Sequence, residues 1–271
     1  MNPIPEPTLI LDRVLRVLRP LVRLLLRSGV TYPVLAAALK RVFLDAARAE
    51  LAERGMAQTD SAVTLLCGVH RRDVRNLSRA APEAEPPAPP LGLAAQVVAR
   101  WMNEPGYQDA QGAPLPLPKS GGAASFDALV ATVSSDVRPR AVMDELVRLG
   151  VAHVDGEQDE QLVLEHSGFA PRQGMDEMSW LMAANLHDHA AAATANLHGR
   201  ANFLEQALFV DQISADSAIR LHEASTAAWQ AAQKAVMQVA QTRFDADAPL
   251  PSTVPRHRAR FGVYFYSEPQ E

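Results

Sequence analysis

The stretch TDSAVTLLCGVHRRDVRNLSR, residues 59–79, is the part of the sequence that decides the fold. Thr59 or Asp60 can cap a first short helix, because a short side-chain oxygen accepts a hydrogen bond from a free amide at a helix start. Gly68 then ends that helix, since glycine adopts the left-handed conformation readily. Val69 fills the corner, and a second helix is predicted over 70–79. This arrangement of a glycine between two short helices, with apolar residues at fixed positions after it, is typical of a helix-turn-helix.

The predicted outer face of the second helix is basic and polar, whereas Val74 and Leu77 face inward. Six side chains form this outer face: His70, Arg71, Arg72, Arg75, Asn76 and Arg79. In a helix-turn-helix this face meets the major groove of DNA. Arginine suits phosphate and guanine edges, and asparagine can pair with adenine. These six are therefore the predicted DNA-binding residues, with double-stranded DNA as the partner; the other interpretation is a solvated basic helix that serves a partner protein.

Charge is distributed unevenly along the 271 residues, although the whole chain carries a net charge of only −5. Residues 13–79 contain 13 Lys and Arg against 5 Asp and Glu, a balance of +8. Residues 80–271 contain 13 Lys and Arg against 24 Asp and Glu, a balance of −11. A basic segment joined to an acidic one is typical of a DNA-binding domain attached to an oligomerisation or sensing region.

Two further helices precede the helix-turn-helix. Residues 1–8 are expected to be disordered, and residues 9–27 form an amphipathic helix with five arginines, in which Pro20 introduces a kink or starts a second segment. Such a helix can lie on an anionic membrane, but we expect it to pack across the back of the helix-turn-helix. Thr31 and Pro33 begin a helix that runs to about Arg54. Residues 9–79 are thus one helical domain.

A proline-rich, acidic linker at 80–90 separates a second domain, 91–170, from the first. Its predicted elements are a helix over 91–102, an irregular segment over 103–122, helices over 126–133 and 139–150, and strands over 151–154 and 161–164. Two helices followed by a two-stranded hairpin are the order of a winged helix. Because this domain is acidic, including its hairpin tip, we interpret it as an interaction module rather than a second DNA reader.

The remaining residues are predicted to form a helical dimerisation region over 171–245 and a tail over 246–271. One alanine-rich helix follows the apolar period from Met175 to about Asp211, and Ser214 caps the next. Two long antiparallel helices cannot bury both their faces alone, so a homodimer through these helices is expected. The β-like run 261–266 is expected to dock on a sheet edge.

The sequence contains no pattern that supports catalysis. A phosphate-binding loop, a dinucleotide-binding glycine motif and a nucleophile elbow are all missing. The histidines near 187–198 lack the spacing of a metal site, and Cys67 is predicted to face inward. No signal peptide or transmembrane span is recognisable. We therefore expect a non-enzymatic, cytoplasmic protein without cofactor or metal and without a membrane partner.

Several segments together resemble an uncharacterised bacterial family that is defined only as a domain of unknown function. They are LRPLVRLLLRSGVTYPVLAAALKRVF (18–43), TDSAVTLLCGVHRRDVRNL (59–77), ANFLEQAL (201–208), RLH (220–222) and RFGVYFY (260–266). The resemblance covers nearly the whole chain and implies no activity. One departure from the helix-turn-helix pattern is Thr64, which stands at an inward position where a small alanine is usual.

The sequence as a whole predicts a mainly α fold. It has an N-terminal helix-turn-helix domain, a winged-helix-like middle unit with a small β-hairpin, and long antiparallel C-terminal helices. The predicted function is a DNA-binding transcriptional regulator. The alternative is a protein–protein interaction adaptor whose basic N-terminal face binds an acidic partner.

Overall fold

The computed structural model describes residues 6–79, 91–110, 112–156, 161–165, 174–251 and 253–269. The chain separates into two units, Met1–Glu85 and Pro86–Glu271. Within the described residues it contains nine α-helices and one three-stranded sheet, so the predicted mainly α class is confirmed. The predicted linker at 80–90 lies outside the described residues.

The first unit consists of four helices. They are α1 (Pro7–Arg27), α2 (Tyr32–Glu53), α3 (Asp60–Cys67) and α4 (Arg71–Arg79). The predicted cap of α3 is confirmed, because the Thr59 side chain accepts a hydrogen bond of 3.2 Å from the Ala62 amide. Gly68 is left-handed at φ 71°, as a tight turn into α4 requires.

A small apolar core joins α2, α3 and α4. Its buried members are Leu44, Ala47, Leu51, Val63 and Val74. Val69 and Leu77 pack around this core and are partly buried. The C-terminal half of α2 is therefore the platform on which the two short helices pack.

The first helix does not pack across the back of this core, and that prediction is wrong. None of its residues is buried, and Leu11, Leu15 and Val17 are each more than half exposed. Amphipathic spacing shows that a helix face needs a cover, but it does not say which surface provides it. Among the described residues no helix, α1 included, combines the length and the unbroken apolar sequence of a bilayer span.

The boundaries of α1 also differ from the prediction. The helix begins at Pro7, so residues 7 and 8 are helical rather than disordered, while residues 1–5 lie outside the described part. Proline suits this first position, because its missing amide hydrogen would have no partner there. Pro20 lies inside α1 without ending it, so the helix is one segment.

The second unit opens with a compact domain. Its elements are α5 (Leu91–Asn103), a 3₁₀ turn (Pro105–Tyr107), β1 (Leu117–Pro118), α6 (Phe126–Val133), α7 (Pro139–Arg148), β2 (Ala152–Asp155) and β3 (Gln161–Leu164). The sheet is antiparallel in the order β1-β3-β2, with Leu162 opposite both Leu117 and Val154. This is the predicted winged-helix-like arrangement with an additional strand, β1, inside the segment predicted to be irregular.

Large buried side chains fix this domain. Trp101 and Phe126 are at most 1% exposed and meet edge to face, with ring centroids 5.9 Å apart. The indole nitrogen of Trp101 donates a hydrogen bond of 2.8 Å to the Leu115 carbonyl. This bond holds the loop before β1 against the core, which explains why so short a strand forms at all.

Two long helices, α8 (Met175–Leu197) and α9 (Ala215–Asp247), follow. Ser214 caps α9 as predicted, accepting a hydrogen bond of 3.1 Å from the Ser217 amide. The prediction that the preceding helix continues to Asp211 is wrong. After α8 the chain turns at Gly199, and the Asn196 side chain bonds the Phe203 amide and carbonyl at 2.8 and 3.0 Å. The next residues, 201–210, are without regular secondary structure.

The tail lies along both long helices instead of on a sheet edge, and residues 261–266 do not form a strand. Phe261 and Phe265 contact Trp229 and His222 of α9, whereas Tyr264 contacts His189 of α8. The tail therefore runs antiparallel to α9. Aromatic residues favour strands by propensity, but each of these rings has an aromatic or histidine neighbour on a helix.

Arg258 and Arg260 anchor the start of this run on α8. Both donate hydrogen bonds of 2.7 Å to the Asp188 carboxylate. Asp188 also forms a hydrogen bond with His187. These hydrogen bonds, that of His187 most of all, together with the charge of Arg258, lower the pKa of the Asp188 carboxyl to about 2. Tyr264 then meets His189, the residue after Asp188, so this part of the tail stays near one turn of α8.

Replacing Leu44 with alanine is expected to destabilise the first unit by about 2–5 kcal/mol, since it opens a cavity in a core of only five buried residues. Urea denaturation followed by circular dichroism measures the effect. Leu65→Ala is the matched control, because Leu65 is 88% exposed. Equal stability changes in the two variants would contradict the placement of this core.

Candidate nucleic-acid interface

The orientation of α4 is fixed from two sides. Val74 is fully buried in the core below it. From α2, Arg41 donates a hydrogen bond of 3.0 Å to the Leu77 carbonyl, and Arg48 donates one of 2.6 Å to the Ser78 hydroxyl. Arg41 and Arg48 therefore hold α4 in place and also provide hydrogen-bond partners for polar groups near its C-terminal end.

The exposed side of α4 is the basic face, defined here by five residues. They are Arg71, Arg72, Arg75, Asn76 and Arg79, and each is exposed. Within the part of the chain that the structure describes, none of these side chains forms a hydrogen bond or salt bridge with the protein itself. The predicted outward positions are therefore brought together on one helix, with four guanidinium groups directed away from their own core.

His70, the sixth predicted residue, also forms a hydrogen bond at the start of α4. Its Nδ1 accepts a hydrogen bond of 3.2 Å from the Arg72 amide, so the ring caps the N-terminus of α4. A neutral imidazole whose Nδ1 accepts carries its hydrogen on Nε2, and that atom is the one left to reach a ligand. Sequence reasoning missed this cap, because histidine is not among the common capping residues.

Asp73 is the only carboxylate on α4 and would oppose an anionic ligand. Lys40 of α2 lies 2.7 Å from it. Their hydrogen bond, more than any other influence, lowers the pKa of the Asp73 carboxyl below its ordinary value. This ion pair offsets the one negative charge of the helix, and sequence reasoning missed it because the two residues are 33 positions apart.

Thr64 occupies the inward position predicted for it. The residue is half-buried, and its Oγ1 is buried with no hydrogen-bond partner among the described residues. An unsatisfied buried hydroxyl is unfavourable, which is the physical reason that alanine is usual at this place.

The winged-helix-like unit presents a different surface. On α7, Arg140 faces Asp144 at 3.9 Å and Arg148 binds Glu145 at 2.8 Å. Arg148 also binds Glu177 of α8. The two arginines of α7 are thus paired with carboxylates of the same unit, and the predicted acidic tip residues 157–160 lie outside the described part.

Two histidines of α8 each pair with a single carboxylate. His187 lies 3.0 Å from Asp188, and His189 lies 3.2 Å from Glu205. Among the described residues no three His, Cys, Asp or Glu side chains are placed to share a metal ion.

Comparison with known proteins gives one match. The model of a "Family of unknown function (DUF6502)" matches residues 11–271, nearly the whole chain. Neither the curated proteins nor the solved structures compared with the chain include a match to it.

Replacing Lys40 with methionine is expected to raise the pKa of the Asp73 carboxyl toward its ordinary value of 3.8, because the stabilising hydrogen bond is removed. Carboxyl ¹³C NMR titration measures this pKa directly. The contribution of the pair to stability should be present above pH 3.8 and be lost as the pH falls through the lowered pKa of Asp73. An unchanged titration of Asp73 in Lys40→Met would show that another group holds its pKa down.

Proposed function

The chain belongs to the DUF6502 family of unknown function, and we propose that it is a cytoplasmic DNA-binding protein that regulates transcription through the basic face of α4. In this proposal α4 enters the major groove of double-stranded DNA. Arginines of the basic face neutralise phosphates, while Arg71, Arg75, Asn76 and the free nitrogen of His70 read base edges.

The proposal rests on the exposure and the charge pairing of the four arginines of the basic face. They are exposed and, within the described residues, lack an internal salt bridge, although the chain as a whole is acidic. Guanidinium groups on a helix held rigidly by a core are suited to bidentate contacts with phosphate and guanine. The Lys40–Asp73 pair supports this interpretation, because it offsets a charge that would repel the DNA backbone.

We further propose that the protein acts as a homodimer through its C-terminal helices. No residue of α8 or α9 is buried. Between them, Leu204, Leu208 and Phe209 are 79%, 90% and 89% exposed. Single exposed apolar residues are ordinary, but this density on one region is typical of a surface that another subunit covers.

DNA binding is tested with duplex fragments that the purified protein enriches from genomic DNA. The variant Arg71→Ala/Arg75→Ala is expected to bind them more weakly, by about 1–3 kcal/mol for each arginine that reads a base edge. Fluorescence anisotropy at ~100 mM salt measures this affinity, and its logarithm should fall with the logarithm of the salt concentration at a slope of about −0.9 per phosphate neutralised.

Arg220→Ala is the matched control, since Arg220 is an exposed arginine of α9 that pairs only with Asp216 in the described structure. Affinity unchanged in the double variant, or reduced equally in the control, would overturn the role of the basic face. Failure to enrich any duplex, together with salt-sensitive capture of an acidic protein through Arg71 and Arg75, would favour the adaptor function instead.

The dimer is tested with Leu208→Asp/Phe209→Asp, which places charges on the most exposed apolar residues of the second unit. The unaltered chain is expected to have at least twice the monomer mass by light scattering, and the variant is expected to self-associate more weakly, so that it loses mass on dilution at a higher protein concentration than the unaltered chain. Val147→Asp, a similar change on the exposed face of α7, should leave the mass unchanged. A monomeric unaltered chain would contradict this proposal.

A further inference from the structure

Helices α1 and α2 carry apolar rows that the described chain covers only in part. Ile10, Leu21, Leu25 and Leu35 are half-buried, and the other members are exposed. On α1, one row contains Leu11, Leu15, Leu18, Val22 and Leu25, and a second contains Ile10, Val14, Val17, Leu21 and Leu24. Each row follows alternating steps of four and three residues, the spacing with which one helix contacts another. No member of either row is buried.

A third row lies on α2, on the side away from the helix-turn-helix core. It contains Tyr32, Leu35, Leu39, Val42 and Ala46, again at steps of three and four. Tyr32 is 78% exposed and Val42 is 60% exposed. Because most members of the rows on both helices remain exposed, α1 and α2 of one chain do not cover each other's rows completely.

We propose that these rows are the contact surface for a second copy of the same chain. When two helices pair, each contributes one row. With two adjacent rows, α1 therefore needs two neighbouring helices. The third row, on α2, needs one neighbouring helix in addition to α3 and α4. In two copies, α1 can pair with α1 of the partner through one row and with α2 of the partner through the other. All six rows are then covered, and no third copy is needed.

The charges of α1 fit this arrangement. Arg13, Arg16, Arg19, Arg23 and Arg27 occupy the part of the helix surface outside both rows and are exposed. When the rows meet, these arginines remain in water, so the pairing does not bring like charges into a contact that excludes solvent. A lipid surface would cover the apolar face of α1 alone and gives no account of the third row on α2.

This pairing is separate from DNA binding and from the C-terminal dimer. It places the two helix-turn-helix cores of a dimer on one helical bundle, because the buried residues of each core share α2 with the third row. The N-terminal unit would thereby be a second dimerisation element.

Cross-linking of the full chain tests the pairing. In a Cys67→Ser background, which removes the one natural thiol, mass-tagged copies are prepared with one cysteine at each position of the two α1 rows in turn. Each is mixed with untagged Val42→Cys copies. A thiol-specific cross-linker with a short flexible spacer is then added. At one or more row positions we expect tagged-to-untagged products several-fold above those of an Arg16→Cys control on the arginine face.

Repeating the experiment with Leu208→Asp/Phe209→Asp separates this pairing from the C-terminal dimer, and DNA affinity is measured independently. The α1–α2 products should persist in that background. Products no more abundant than those of Arg16→Cys at every row position would overturn the inference. So would flotation of the protein with phosphatidylglycerol vesicles that Leu15→Ser/Leu18→Ser abolishes, since lipid would then be the cover.

Discussion

Burial of Val74 is the constraint on which the candidate site depends. An α-helix advances by about 100° per residue, so a residue fixed in the core dictates where its neighbours lie. With Val74 fully buried against α2 and α3, Arg72, Asn76 and Arg79 lie nearly opposite it, whereas Arg75 lies about 100° and Arg71 about 60° from it around the helix. The positions of the arginines follow from one apolar contact and the helical repeat, without any interaction of the arginines themselves.

The two units show why charge pairing matters more than fold for the choice of ligand. Both contain a short helix held by an apolar core in an arrangement known from DNA readers. On α4 the arginines have no internal carboxylate among the described residues, and Asp73 is engaged by Lys40. On α7, Arg140 and Arg148 face carboxylates of their own unit. A similar scaffold therefore offers phosphate an open basic face in one unit and a largely neutralised one in the other.

Local features could be predicted from the sequence, because they depend on nearest neighbours. The caps at Thr59 and Ser214 and the turn at Gly68 follow from side-chain chemistry within three residues. The outward arginines follow from the helical period. By contrast, the Lys40–Asp73 pair, strand β1 and the path of the tail depend on residues far apart in the chain, which periodicity cannot bring together. The amphipathic pattern of α1 predicts an apolar face correctly but not its cover, since a pattern on one helix contains no information about its partner.

The region of α8, α9 and the tail has a defined path although no residue of its two helices is buried. Asp188 accepts hydrogen bonds from Arg258 and Arg260, and aromatic contacts continue the tail along α9. Polar bonds at exposed sites each contribute little free energy, so they direct the chain more than they stabilise it. Part of the stability of this region comes from apolar contact within the unit, since Trp180 and Leu181 of α8 pack against the core around Trp101. In a dimer held only at these helices, the two basic faces would be joined through the rest of each chain, including the proline-rich sequence at 80–90. Contact between the α1 and α2 helices of two copies would instead set the distance between the two basic faces directly, and that distance determines which spacing of DNA half-sites a dimer can read.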